Sequence, residues 1–188
     1  LLFFLGGTGV LHTNVIVAFW ALVSITTTTW GNLAALGQSN IKRMLSYSTI
    51  SHAGLMMMAM TAFDYRAIPP LVYYITSYAF MNFGAFAIVA LVRNSTGSEE
   101  VSSYDGLARR SPVLAFALAI CLLSLLGLPP LAGFAAKFQV FAHLLENARK
   151  FSAGNFAIFS WLFFGMILMA GLNTALSAFY YLGIIKRM

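Results

Sequence analysis

Apolar residues in this chain gather into long runs separated by short polar turns. A helix rises about 1.5 Å per residue, so roughly 20 apolar residues cross the ~30 Å hydrocarbon layer of a bilayer. Five runs reach that length, near residues 12–36, 44–63, 71–92, 113–145 and 156–185. The pattern predicts an all-α, polytopic transmembrane helix bundle forming one membrane domain over 1–188. Asn40-Ile41-Lys42-Arg43 is the first polar turn, and Pro69 and Pro70 in the second suit the opening of a helix. Residues 93–112 form the longest polar segment and hold Glu99, Glu100 and Asp105; within them, residues 104–110 predict a short surface helix. Residues 146–154 read as a polar loop.

The fourth run is too long for a single crossing. Residues 113–145 in one straight helix would reach roughly 50 Å. Leu128-Pro129-Pro130-Leu131-Ala132-Gly133 lies inside this run, and proline lacks the amide proton and clashes with the preceding turn. The expectation is two half-helices joined by an unwound segment at 127–133, with Pro129, Pro130 and Gly133 making the break. Irregular backbone at this depth persists only where it is buried in protein or lines a wet cavity.

Composition narrows the class. The chain is 60% hydrophobic and 9% charged, whereas soluble domains carry about 25% charged residues, so a soluble fold is nearly excluded. Cys121 is the single cysteine, which leaves no disulfide framework and no thiolate metal site. The net charge of +6 is spread over short loops, fitting membrane orientation rather than nucleic-acid binding. Lys42, Arg43, Arg93, Arg109, Arg110, Lys186 and Arg187 fall on one side, against Arg66, Arg149 and Lys150 on the other. The positive-inside rule assigns the larger group to the cytoplasm or its organellar equivalent. The chain begins Leu1-Leu2-Phe3 without a charged leader and stops at Lys186-Arg187-Met188, so it reads as a fragment of a larger membrane protein.

Lys137 is the only charged residue from Val113 to Leu145. An ionisable group at lipid depth is expensive and marks an ion or proton pathway by default. Two readings stand: the amine snorkels to the far interface, or it sits in a protein-lined interior where its charge can be switched. His52 follows Ser46, Tyr47, Ser48, Thr49 and Ser51, with Ser48 four residues before it on the same helix face. It either passes a proton between its two nitrogens or serves as interhelical hydrogen-bonding glue.

Tyr74, Tyr78 and Asn82 give the third run a polar face, and Tyr180 and Tyr181 read as an interfacial belt. Lys42 and Arg43 read as topology anchors, and His12 and His143 as solvated residues near span ends. There is no P-loop, no complete dinucleotide fingerprint and no His-Glu-x-x-His. The chain is expected to bind no nicotinamide, flavin, iron–sulfur cluster or nucleotide, and no metal.

The stretch from Gly31 to His52, with Gln38-Ser39-Asn40-Ile41-Lys42-Arg43-Met44-Leu45-Ser46-Tyr47-Ser48 at its centre, resembles the signature of the antiporter-like subunits of respiratory complex I. Those subunits are similar to the large subunits of multisubunit cation/proton antiporters. Tyr104-Asp105-Gly106-Leu107 and Gly127-Leu128-Pro129-Pro130-Leu131-Ala132-Gly133-Phe134-Ala135-Ala136-Lys137-Phe138 extend the likeness. The Lys137-Phe138 pair, and Tyr74, Tyr78 and Asn82 where other branches show two histidines and a lysine, resemble the N-type branch; Ala135-Ala136 departs from its usual bulky-plus-glycine pair.

The resemblance implies inverted repeats, each with a broken helix, of which this chain would be the second. It implies that Lys137 and His52 lie on a proton path, supported by Lys42 at its mouth, with Ser48 and Tyr78 as supporting groups. The subunit would be a non-redox translocase of NADH:quinone oxidoreductase in the bacterial cytoplasmic or organellar inner membrane. Its partners would be other complex I membrane subunits and the lipid bilayer, with no nucleic acid. NADH, FMN, iron–sulfur clusters and quinone would reside in partner subunits. The family's glutamate–lysine pair of the first repeat has no counterpart here. The alternatives are a subunit of a multisubunit cation/proton antiporter and a structural membrane subunit that moves no proton.

Overall fold

The computed structural model describes residues 7–153 and 157–188, with side chains described for 15–152 and 158–188. Among the described residues, seven α-helices follow in order: α1 Gly7–Leu36, α2 Ile41–Met60, α3 Ile68–Thr96, α4 Leu107–Arg110, α5 Pro112–Leu126, α6 Ala132–Ala153 and α7 Ala157–Arg187. Two short 3-10 turns, Tyr65–Ala67 and Val101–Tyr104, precede α3 and α4. The chain is an all-α membrane bundle, and no strand occurs among the described residues. Side-chain details of His12 lie outside the described residues.

Local chemistry fixes the helix ends. Asn40 stands in extended backbone and its side chain accepts the Arg43 amide at 3.0 Å, opening α2. Prolines occupy the first turns of α3 and α5, where a missing amide proton loses nothing. Gly97 (φ 72°) and Gly127 (φ 88°) close α3 and α5 in the left-handed region that glycine enters without strain. α6 runs on to Ala153, so much of the expected loop at 146–154 is helical. There Lys150 reaches Glu146 one turn back at 2.9 Å, an i,i+4 pair that supports the extension.

By length and composition, three of these helices can cross a membrane: α1, α3 with its preceding turn, and α7. α2 falls short of that measure; it carries the polar patch Ser46 to Ser51 and His52. α5 spans 15 residues, about 22 Å at 1.5 Å per residue, which is shorter than the ~30 Å hydrocarbon layer. The Pro129–Pro130 bond is cis.

α1 and α2 pack at the closest range. Gly31 lies against the backbone of Tyr47 and Ser51, and Gly54 against that of Thr28. Such small residues let membrane helices approach where lipid supplies no hydrophobic drive. Two apolar cores follow along the helices. One joins Ile41, Met44 and Leu45 of α2 to Leu118 and Leu122 of α5 and Ile184 of α7. The other joins Leu55 and Met58 of α2 to Val140 and Leu144 of α6 and Phe163 and Met166 of α7. Between them on α2 and α7 lie the buried polar residues Ser48, Ser51, His52, Asn173 and Ser177. The site is therefore a polar layer held between two dry ones.

Ion pairs gather the loop charges at two ends. Glu99 meets Lys42 and Arg93 at 3.6 and 3.2 Å, while Glu146 meets Arg66 and Lys150, each at 2.9 Å. At the Lys42 end, residues 97–108 form a strap. The Ile41 amide donates to Glu99 O, the Val101 amide to Ser39 O, and the Gly106 and Ala108 amides to the carbonyls of Arg187 and Met188.

Candidate functional site

The break in the fourth apolar run puts the site in place. α5 ends at Leu126, residues 127–131 leave the helix, and α6 begins at Ala132. Pro129 and Pro130 lie in the unwound segment, while Gly133 sits in the first turn of α6 rather than within the break. One turn beyond Gly133 is Lys137, 5% exposed, with its Nζ donating to Leu126 O at 2.8 Å. The amine thus caps the carbonyl end of α5, where the helix dipole is negative. It lies inside the bundle and does not reach an interface.

His52 is 4% exposed on α2. Its Nδ1 lies 2.9 Å from the Tyr74 hydroxyl of α3, and its Nε2 lies 3.4 Å from the Tyr181 hydroxyl of α7. Tyr181 also shares a hydrogen bond with the Ser48 hydroxyl. Tyr78 donates to Thr49 Oγ1 at 2.8 Å, and its ring lies 5.0 Å from that of His52. Asn82 is half-buried further along α3.

His52 and Lys137 both line one narrow, partly open cavity of about 10 Å³, with Asn32, Ser51, Asn173 and Ser177 among its other walls. That volume is at the lower limit for one water, and the walls carry polar groups to hold it. Among the described residues, Lys137 has one acceptor, Leu126 O, although an ammonium has three N–H donors. Two buried titratable side chains, His52 and Lys137, therefore line the same polar cavity.

Lys42 stands apart from this cluster. It lies at the opening turn of α2, half-exposed and paired with Glu99; the ten residues to His52 correspond to about 15 Å of helix. The hydrogen bond from Asn40, followed by the charges of Lys42 and Arg93, holds the Glu99 carboxyl below the usual carboxylate range. Burial, with Glu99 nearby, pushes the Tyr104 phenol up to about 12.

Two further expectations change. Tyr180 and Tyr181 are not an interfacial belt: they are 8% and 0% exposed, with Tyr180 donating to Asn32 Oδ1 at 2.8 Å. Their hydroxyls find partners inside the bundle, Asn32 for Tyr180 and Ser48 and His52 for Tyr181, which holds both rings there. His143 is not solvated but 5% exposed, accepting from Asn147 at 3.1 Å beside the turn that precedes α3. Sequence reasoning also passed over Asn32 and Asn173. The Asn32 amide donates to Asn173 at 3.0 Å, and the Asn173 amide donates to Thr29, tying α1 to α7. Asn173, Ser177 and Tyr181 recur every four residues on one face of an apolar helix, the signal that would have found them.

Among the described residues, no group of three or more His, Cys, Asp or Glu side chains could hold a metal ion.

Residues 2–167 match the family described as NADH:quinone oxidoreductase/Mrp antiporter, transmembrane. The chain is 42% identical over 167 residues to NADH-quinone oxidoreductase subunit N of Anaeromyxobacter sp. (strain Fw109-5), covering 89% of this chain and 31% of that protein. It thus spans about a third of the length of such curated relatives. Among solved structures, it superposes on a chain of respiratory complex I from Thermus thermophilus with bound aureothin. That match has a TM-score of 0.70 and 34% identity, covering 90% of this chain and 35% of the other. A chain of the Mrp complex from Dietzia sp. DQ12-45-1b shares the fold, with a TM-score of 0.76 at 21% identity over 92% of this chain and 30% of the other.

Proposed function

We propose a proton-translocating role from one premise: this chain belongs to the NADH:quinone oxidoreductase/Mrp antiporter transmembrane family, as part of an N-type antiporter-like subunit. Lys137 holds and releases the proton. His52, Ser48 and Tyr78, with water in the shared cavity, connect it to neighbouring sites, and Lys42 stands at the mouth of α2. α1, α2, α3, the α5–α6 pair and α7 make five crossings of a bacterial cytoplasmic or organellar inner membrane. The Lys42 end, which carries the larger share of Lys and Arg, faces the cytoplasmic side.

The observation that carries this reading is a buried amine beside unwound backbone, facing a cavity it shares with a buried histidine. A purely structural lysine could reach water by snorkelling and would not need that burial. Moving one charge against 100 mV takes about 2.3 kcal/mol. Partner subunits of a complex I carrying FMN, iron–sulfur clusters and quinone, and oxidising NADH, supply that energy. The chain itself contributes no redox chemistry. A cation/proton antiporter assembly shares this fold, but the sequence likeness to subunit N favours the oxidoreductase.

The test is Lys137→Ala in the complete complex, with NADH-driven acidification followed in inverted membrane vesicles. Loss of pumping in a normally assembled complex is expected. Full pumping by that variant overturns the role.

A further inference from the structure

Ser124 lies on α5 three residues from Gly127 and is 5% exposed. Its hydroxyl oxygen accepts the backbone amide of Gly133 at 3.3 Å and donates its proton to the Met81 sulfur of α3. The Gly133 amide belongs to the opening turn of α6, where amides have no partner within their own helix. The Ser124 carbonyl lies where a β-carbon on residue 133 would have to sit, so only glycine admits this approach. One residue type on each side of the break thus makes the contact.

A second tie spans the same break. Lys137 follows Gly133 by one helical turn, and its amine returns to Leu126 O, two residues beyond Ser124. Its aliphatic stem passes close to Gly127. The two ties differ in kind. The Lys137 tie is strongest while the amine is charged, because charge-assisted hydrogen bonds exceed neutral ones. The Ser124 tie joins neutral groups and is indifferent to the proton.

We propose that Ser124 is a positioning residue for Lys137: it fixes α6 against α5 across the break, so that the amine keeps its place when its own tie weakens. Met81 anchors the serine to α3, making three helices share the reference point. The inference rests on the proton-carrying role of Lys137 for its purpose, but not for its test.

The test reads position rather than pumping. In the assembled complex with Cys121→Ser, Lys137→Cys is labelled by a small water-soluble thiosulfonate reagent, with and without Ser124→Ala. Removing the staple is expected to raise the labelling rate about fivefold, the shift that one net hydrogen bond represents. An unchanged rate in an assembled complex overturns the proposal, whatever Lys137→Ala does to pumping. Should Ser124→Ala fail to assemble, Met81→Leu releases the serine from α3 and must raise labelling in the same direction; no change there overturns it equally. In the lysine-containing protein, Ser124→Ala is expected to shift the pH profile of pumping, which a merely structural serine would leave in place.

Discussion

The Nδ1 nitrogen of His52 lies 2.9 Å from the hydroxyl oxygen of Tyr74, across the interface of α2 and α3. On the other side of the ring, Nε2 faces the Tyr181 hydroxyl at 3.4 Å, a longer and weaker contact. A neutral imidazole donates from one nitrogen and accepts at the other, and a phenol can do either. Both tautomers therefore find partners while the ring stays still. A histidine passing protons from one nitrogen to the other needs that freedom.

Tyr74→Phe keeps the ring and deletes the hydroxyl, leaving Nδ1 without its partner. A buried polar atom left unpaired costs about 1–3 kcal/mol. Proton pumping in vesicles is expected to fall several-fold while the complex still assembles. Tyr73→Phe, on an exposed neighbour, is the control and should pump normally. Parental pumping by Tyr74→Phe would remove His52 from the proposed path.

Lys137→Arg separates charge from proton exchange. Arginine can keep a positive donor near Leu126 O, but its guanidinium stays protonated at any accessible pH. If the residue only caps α5, this variant should pump. The expectation is an assembled complex with near-complete loss of pumping, measured with NADH oxidation alongside it.

Close packing of α1 on α2 gives a stability prediction. A β-carbon on residue 54 would collide with the Thr28 backbone and hydroxyl. Overpacking of a tight contact costs about 1–3 kcal/mol, so Gly54→Ala should lower the thermal stability of the purified complex. Gly171→Ala meets open space on α7 and should hold or raise it, since alanine favours a helix by up to about 1 kcal/mol over glycine. Equal melting behaviour of the two variants would count against the packing described.

Apolar run lengths were enough to announce a membrane bundle, and the proline pair announced the interruption between Leu126 and Ala132. Both follow from local physics: bilayer thickness sets the run, and proline cannot continue the ladder. Lys137 and His52 were visible as polar residues in apolar surroundings. Their partners were not, because Tyr181 is 129 residues from His52 and only the packing of α7 brings it there. Gly133 shows the same limit. Its place beside the prolines suggested unwinding, whereas its use is to admit the Ser124 carbonyl to the first turn of a helix.

The strap over the Lys42 end should be sensitive to acid. Glu99 takes a hydrogen bond from Asn40 at 3.2 Å and ion pairs from Lys42 and Arg93, so its carboxyl titrates below the usual range. A carboxyl depressed on folding stabilises the folded form above its unfolded-state pKa, and that stabilisation is lost as pH falls through the lower folded-state value. At neutral pH the contribution is fully present; well below the carboxylate range it is gone. The amides of Ile41 and Val101, which bond Glu99 O and Ser39 O, report on it. After correction for intrinsic exchange, their hydrogen-exchange protection should drop on acidification. In Glu99→Gln it should already be reduced at neutral pH and show no further acid step. A step of equal size in both proteins would assign the acid response to another group.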